Sequence, residues 1–193
     1  MSRVKVLIVT GMPGSGKSTA VEIARARGIP IYRMGDAVWA EVRSRGLRLE
    51  NEVVGKVANE MRKTHGPGIW AERTVEQVRK GRPAQLIIID GCRSQAEVDV
   101  FRKEFGDDLL LVVIEATQRT RFKRLKARAR VDDIKTLKDL RARDRREASW
   151  GLADMMKVAD VRIRNEGTVE ELKAAMEGLL ERHSGHAQSP SSK

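Results

Sequence analysis

The sequence predicts an α/β fold in three layers: a parallel sheet of five strands between two sets of helices. Three observations carry that expectation. Short apolar, β-branched runs recur along the chain, the clearest being Val4–Thr10 and Leu86–Asp90. Helical, amphipathic stretches separate them, which is the alternation of a doubly wound sheet. The runs are apolar at consecutive rather than alternate positions, as strands covered on both faces must be.

Val4 to Thr10, the first strand, ends at Gly11. Gly11 to Gly16 is a glycine-rich turn, and Ser18 to Arg27 reads as a helix closed by Gly28. Ile29-Pro30-Ile31-Tyr32 gives a second strand that leads into Met34-Gly35-Asp36. From Ala37 to about Arg82 the pattern is helical, broken at Arg45-Gly46 and at His65-Gly66-Pro67-Gly68. Residues 35–82 therefore read as an insertion between the second and third strands. Leu86 to Asp90 is the third strand, and Ser94 with Glu97 forms a capping box for the next helix. Leu109 to Ile114 is the fourth strand, followed by a helix from Thr117 to about Arg128. Residues 128–147 form a basic, lid-like excursion before a fifth strand at Ala159–Ile163. Thr168 with Glu171 is another capping box, opening a final helix to about Arg182. One domain over residues 1–182 and a disordered Ser/Gly/Pro-rich tail over 183–193 follow.

The 193 residues are 34% charged and 40% hydrophobic, a balance suited to one soluble domain. Cys92 is the only cysteine, which excludes an intramolecular disulfide and a cysteine-based zinc cluster. No apolar run is long enough to span a membrane, and the start lacks the h-region of a signal peptide. A cytoplasmic, reducing location is the expectation. The net charge of +11 is concentrated: Arg119 to Arg146 carries 13 Lys/Arg against 4 Asp/Glu. Anionic partners follow, either the phosphates of a small molecule or a nucleic acid backbone. Only seven residues are Phe, Trp or Tyr, and only Phe122 and Trp150 border the basic stretch, so stacking platforms for nucleic acid are scarce. His65, His183 and His186 are scattered and suggest no metal site. Trp39 and Trp70 in the insertion read as core packing.

Gly11-Met12-Pro13-Gly14-Ser15-Gly16-Lys17-Ser18 matches the phosphate-binding pattern G-x-x-x-x-G-K-[ST] between a strand and a helix. Gly11, Gly14 and Gly16 permit backbone geometries that aim amides at phosphate oxygens. Lys17 places a positive charge at the β- and γ-phosphates, the Ser18 hydroxyl is set to hold Mg²⁺, and the helix dipole favours the same anion. Asp90, at the carboxyl end of the third strand, has the setting of a second magnesium carboxylate; it is also a plain Asp-Gly turn. Arg93 would stand over the same crevice as a phosphate-binding guanidinium. Cys92 between them reads as a small filler. Asp36 is either a carboxylate that orients the phosphate-accepting group or the N-cap of the helix from Ala37, and one side chain can be both. Arg121, Arg124 and Arg128 recur at helical spacing, and Arg130, Arg141, Arg145 and Arg146 follow them.

With these residues, positions 3–182 resemble the P-loop nucleotide kinases, among them adenylate kinase and dephospho-CoA kinase. More narrowly the chain is similar to a largely archaeal family of adenylate-kinase-related P-loop proteins. Gly35-Asp36 resembles the start of an acceptor-binding segment, and Asp90-Gly91-Cys92-Arg93 the Asp-Gly…Arg motif that binds an acceptor phosphate. Arg124-Leu125-Lys126-Ala127-Arg128 is similar to a lid-opening motif whose arginines contact ATP, with Arg130 and Arg141 spaced like the arginines at its far end. Ala159-Asp160 through Asn165-Glu166-Gly167 looks like an adenine-side loop, which implies Asn165 and Gly167 beside the nucleotide. Two departures weaken an AMP acceptor: Trp39 stands where adenylate kinases carry an arginine, and the Asp-Gly…Arg motif is one residue shorter.

The resemblance implies a P-loop nucleotide kinase fold that moves the γ-phosphoryl group of ATP, with Mg²⁺, to a small nucleotide, nucleoside or dephospho-CoA-like acceptor. In that scheme residues 11–18 and Thr19 hold ATP, and Ser18 and Asp90 surround the metal. Arg124, Arg128, Arg130 and Arg141 neutralise the transferring group, and Arg93 and Asp36 hold the acceptor. The alternative is a nucleotide-switched regulatory ATPase that contacts a macromolecule, such as a nucleic acid, through its basic segment.

Overall fold

The computed structural model describes residues 4–128 and 135–184. At its centre lies β1 (Lys5–Thr10), whose last five residues are all buried. It pairs in parallel with β3 (Leu86–Asp90) on one side and β4 (Leu109–Glu115) on the other. β2 (Ile31–Arg33) extends the sheet beyond β3, and β5 (Val161–Arg164) extends it beyond β4, giving the all-parallel order β2-β3-β1-β4-β5.

The unbroken apolar runs have their explanation in two separate cores. Val6, Ile8, Ile87, Ile89 and Leu111 point to one face, into a cluster that includes Trp70, Val98 and Phe101. Leu7, Val9, Ile88, Val112 and Ile114 point to the other, against Val21, Ala24, Met176 and Leu180. Period-two alternation of a wholly apolar strand thus feeds two helical layers at once. The second face is covered by α1 (Lys17–Ala26) and α9 (Val169–His183), which pack on each other. The Thr168–Glu171 capping box is fully formed at the start of α9.

Between β2 and β3 run three helices, α2 (Met34–Ser44), α3 (Asn51–His65) and α4 (Ile69–Lys80), broken where the Gly-containing turns were expected. Helix α2 begins three residues before Ala37, because Met34 is itself buried and shares a stripe with Val38 and Val42. Asp36 is therefore an exposed residue of the first turn and not the N-cap, which is Arg33. Trp70 is 1% exposed, and its indole N–H donates to Ala58 O, so it is core as expected. Trp39 is not: it is 42% exposed.

Ser94 caps α5 (Gln95–Phe105) by accepting the Glu97 amide. The return half of that box differs from expectation, since the Glu97 carboxylate reaches past Ser94 to accept the Arg93 amide at 2.8 Å. After β4, α6 (Gln118–Arg128) leads to the basic segment, of which residues 135 onward contribute α7 (Leu137–Ser149) and α8 (Leu152–Lys157) before β5. Helix α9 continues through His183, so that residue closes the helix and does not begin a tail. Among the described residues no helix is long and apolar enough to cross a membrane.

Candidate active site

β1 ends where the chain diverges to the two sides of the sheet, the place where open α/β sheets form their crevice. Residues 11–16 turn there, and α1 starts at Lys17 with Gly16 as its N-cap. Gly16 has φ +103°, and a Cβ on it would come within 2.2 Å of Asn165 Nδ2. Only glycine meets both demands. The first-turn amides of α1 have no partner within the helix and carry the positive end of its dipole.

The loop is held from outside by its carbonyls. Arg121 Nη1 donates to Pro13 O at 3.0 Å, and Asn165 Nδ2 donates to Ser15 O at 2.7 Å. Arg121 is buried and also makes a two-pronged ion pair with Asp144 of α7, at 2.8 and 2.7 Å. Arg124 donates to Asn165 O at 3.0 Å, Asn165 Oδ1 at 3.2 Å and Gly167 O at 3.2 Å. Glu166 accepts from Thr120 Oγ1 at 2.6 Å and from the Thr117 amide; these bonds, led by the Thr120 hydroxyl, hold its carboxyl below the usual glutamate range. The carbonyls of Pro13 and Ser15 are thus tied to α6 and to the turn after β5.

A cleft of about 610 Å³ opens over this loop, lined by Gly11, Met12, Pro13, Gly14, Gly16, Lys17, Ser18 and Thr19. Arg93, Arg124, Arg128, Arg143 and Asn165 also border it. Lys17 Nζ lies 2.5 Å from Asp90 Oδ1 at the end of β3. Ser15 Oγ and Arg143 Nε are buried polar atoms without a hydrogen-bond partner among the described residues. An unsatisfied guanidinium N–H on a cleft wall, beside a ring of cations, fits a polyphosphate. Asp90 and Ser18 supply the hard oxygen donors that Mg²⁺ requires. Among the described residues there is no cluster of three His, Cys, Asp or Glu side chains to bind a metal independently.

Beside the cleft lies a second cavity of about 530 Å³, formed by α2, α3, α4 and the segment after β3. Met34, Val38, Trp39, Val54 and Trp150 make it largely apolar, and Arg62 and Glu97 are among its polar members. Gly91 and Arg93 line both spaces. Arg93 also stands over the Trp150 ring, 5.2 Å from its centroid. Cys92 is buried at the same junction, and burial, together with the nearby Glu97 charge, pushes its thiol well up, as suits a filler and not a nucleophile.

Of the residues singled out from sequence, 11–14, 16–19, Arg93, Arg124, Arg128 and Asn165 line the cleft, while Asp90 reaches it through Lys17. Asp36 lines neither cavity, Arg141 is exposed on α7, and Arg130 lies outside the described residues. Arg143 and Glu147 also line the cleft, and Glu97 the second cavity. The four-residue spacing of Arg143 and Glu147 puts them on one face of α7, but spacing alone does not say that this face turns toward the cleft.

A family model described as an AAA domain matches residues 10–141. A UPF0200/UPF0201 protein of Archaeoglobus fulgidus is 42% identical over 177 residues, covering 91% of this chain, which spans only 55% of that relative's length. A UPF0200 protein of Methanosarcina mazei is 40% identical over 91% of this chain and 94% of its own. Among solved structures, TT1252 from Thermus thermophilus superposes with a TM-score of 0.66 at 19% identity, covering 95% of this chain and 100% of its own. A gluconokinase from Sinorhizobium meliloti superposes with a TM-score of 0.52 at 17% identity, covering 94% of this chain and 97% of its own. At those identities the likeness is one of fold. The chain belongs to the archaeal UPF0200 family and carries the kinase-like P-loop α/β fold.

Proposed function

We propose that the protein transfers the γ-phosphoryl group of ATP to a small acceptor held in the second cavity. The observation that carries this reading is the pair of spaces meeting at Gly91 and Arg93, one ringed by cations over a phosphate-binding loop and one apolar. A donor and an acceptor need such a junction so that the two reacting oxygens lie in line. A gluconokinase among the structural neighbours supports the phosphotransferase class.

In this scheme the loop amides and Lys17 receive the donor's β- and γ-phosphates. Ser18 and Asp90 would hold Mg²⁺, which when bound neutralises charge on those phosphates. Lys17 and Asp90 exchange their mutual ion pair for these partners. Arg128 and Arg143 face the developing charge, a part the resemblance implies for Arg124, Arg128, Arg130 and Arg141. Arg124 and Asn165 position the loop, since their polar atoms are already engaged with it and with each other. Arg93, at the junction, orients the transferring group between the two substrates. The acceptor is of nucleotide or nucleoside type, its ring lying on the tryptophan-lined wall.

Measurement of ADP formation with Mg-ATP and a panel of nucleosides, nucleoside monophosphates and dephospho-CoA tests the reaction; at least one acceptor must clearly outpace water. Lys17→Ala should abolish transfer and weaken ATP by about two orders of magnitude, the loss of one charge-assisted contact of roughly 2–3 kcal/mol. Unchanged ATP affinity in that variant contradicts the donor-site assignment. Hydrolysis that no acceptor exceeds defeats the kinase reading.

A further inference from the structure

The two cavities differ in charge far more than in size. Among the described residues the cleft is lined by Lys17, Arg93, Arg124, Arg128 and Arg143, with Glu147 as a lining carboxylate and Asp90 paired to Lys17. In the second cavity only Arg62 and Arg93 are cationic, and each faces a buried carboxylate. Arg62 Nη2 lies 3.6 Å from Glu97 Oε1, and Arg93 Nη1 lies 3.7 Å from Glu147 Oε2. Glu97 and Glu147 are 2% and 7% exposed. Arg62 so compensated has little field left for an acceptor anion, and a phosphate brought into the second cavity meets the buried Glu97 carboxylate, which lines it. Trp39 and Trp150, the latter 46% exposed, offer indole surface on the cavity wall. Such surface suits a flat, uncharged ring.

Resting on the kinase reading above, we propose that the acceptor is an uncharged, ring-bearing alcohol of the nucleoside class, and that Glu147 is the catalytic carboxylate that takes its proton. Glu147 lines the cleft and touches Arg93, the side chain common to both spaces, whereas Asp36 lines neither. In the step, the acceptor hydroxyl oxygen bonds to the γ-phosphorus. The bond from that phosphorus to the β,γ-bridging oxygen breaks, and ADP leaves with the oxygen and its electron pair. The hydroxyl proton passes to Glu147 and then to solvent. A phosphate acceptor already ionised at its attacking oxygen would need no such carboxylate.

The test reads binding as well as turnover. Trp39, Trp70 and Trp150 all line the cavity, so fluorescence titrations of the full chain with ADP present compare adenosine, cytidine, guanosine and uridine with their 5′-monophosphates. At least one nucleoside should bind about tenfold or more tighter than its monophosphate. Glu147→Gln uncovers Arg93: monophosphate affinity should rise about tenfold, nucleoside affinity should hold within about twofold, and nucleoside turnover should fall by about 10²-fold or more. Trp39→Ala, at a position 42% exposed, should weaken the nucleoside about tenfold and leave ATP affinity unchanged, with the melting temperature of the variant checking that it folds. Tighter monophosphate binding in the native protein, or no gain of monophosphate affinity in Glu147→Gln, overturns the proposal. If no nucleoside binds while ATP does, the acceptor class fails and the phosphotransferase reading stands; if ATP itself does not bind, that broader reading fails first.

Discussion

The brace between Asn165 and the phosphate loop can be measured without any ligand. Asn165 is 5% exposed, donates to Ser15 O at 2.7 Å and accepts from Arg124 at 3.2 Å. Asn165→Ala deletes one neutral hydrogen bond, worth about 1 kcal/mol, and one to a charged group, worth about 2 kcal/mol. The expected loss of about 3 kcal/mol lowers the melting temperature by about 6–12 °C in a chain of this size. Gly16→Ala is destabilising for two reasons: a φ of +103° that alanine resists, and a Cβ placed 2.2 Å from Asn165 Nδ2. The backbone part costs about 1–3 kcal/mol and persists in any background. The clash disappears once Asn165 is alanine. The double variant should therefore be more stable than the two single losses add up to, by at least about 1 kcal/mol. Urea unfolding of the native protein, both single variants and the double variant closes the cycle. Additivity within about 0.5 kcal/mol would refute the contact between Gly16 and the Asn165 amide.

Asp144→Ala strands the buried Arg121 guanidinium with Pro13 O as its remaining acceptor, and should cost about 3–5 kcal/mol by chemical denaturation. A loss under about 1 kcal/mol would show the pair to be expendable. Cys92, with its thiol pushed up by burial, should resist Ellman's reagent at about pH 8 in the native state and react promptly in denaturant; prompt native labelling would contradict its burial. Glu166 has a carboxyl held below its ordinary value of about 4.3, so its bonds from Thr120 and Thr117 stabilise the fold above that pH. That contribution fades as pH falls through the lower, folded value. The melting-temperature gap between native protein and Glu166→Gln should be constant near neutrality and narrow in acid; parallel curves throughout would remove Glu166 from the account.

The sheet was readable in the chain because each central strand is apolar at successive positions, and only double coverage explains Leu7 and Ile8 together. Residues 11–18 were readable because their spacing answers to one local backbone shape. What escaped is set by how helices meet. The basic run looked like a single field of positive charge, yet Arg121 is neutralised by Asp144, 23 positions away on another helix. Helical spacing tells which residues share a face and not what that face touches. For the same reason Trp39 and Trp70, both on amphipathic helices, read alike, although both border the second cavity and packing buries Trp70 to 1% while leaving Trp39 42% exposed. Asp36 looked like an N-cap since nothing local revealed that Met34 would be buried and start the helix early.

The guanidinium of Arg121 joins three stretches of chain remote in sequence: the turn at Pro13, its own helix α6 and Asp144 on α7. A fork of two short ionic bonds tolerates little stretching before both prongs fail together. Helix α7 and the turn are thereby tied to each other through one side chain. A displacement of α7 would therefore be felt at the Pro13 peptide through this one side chain.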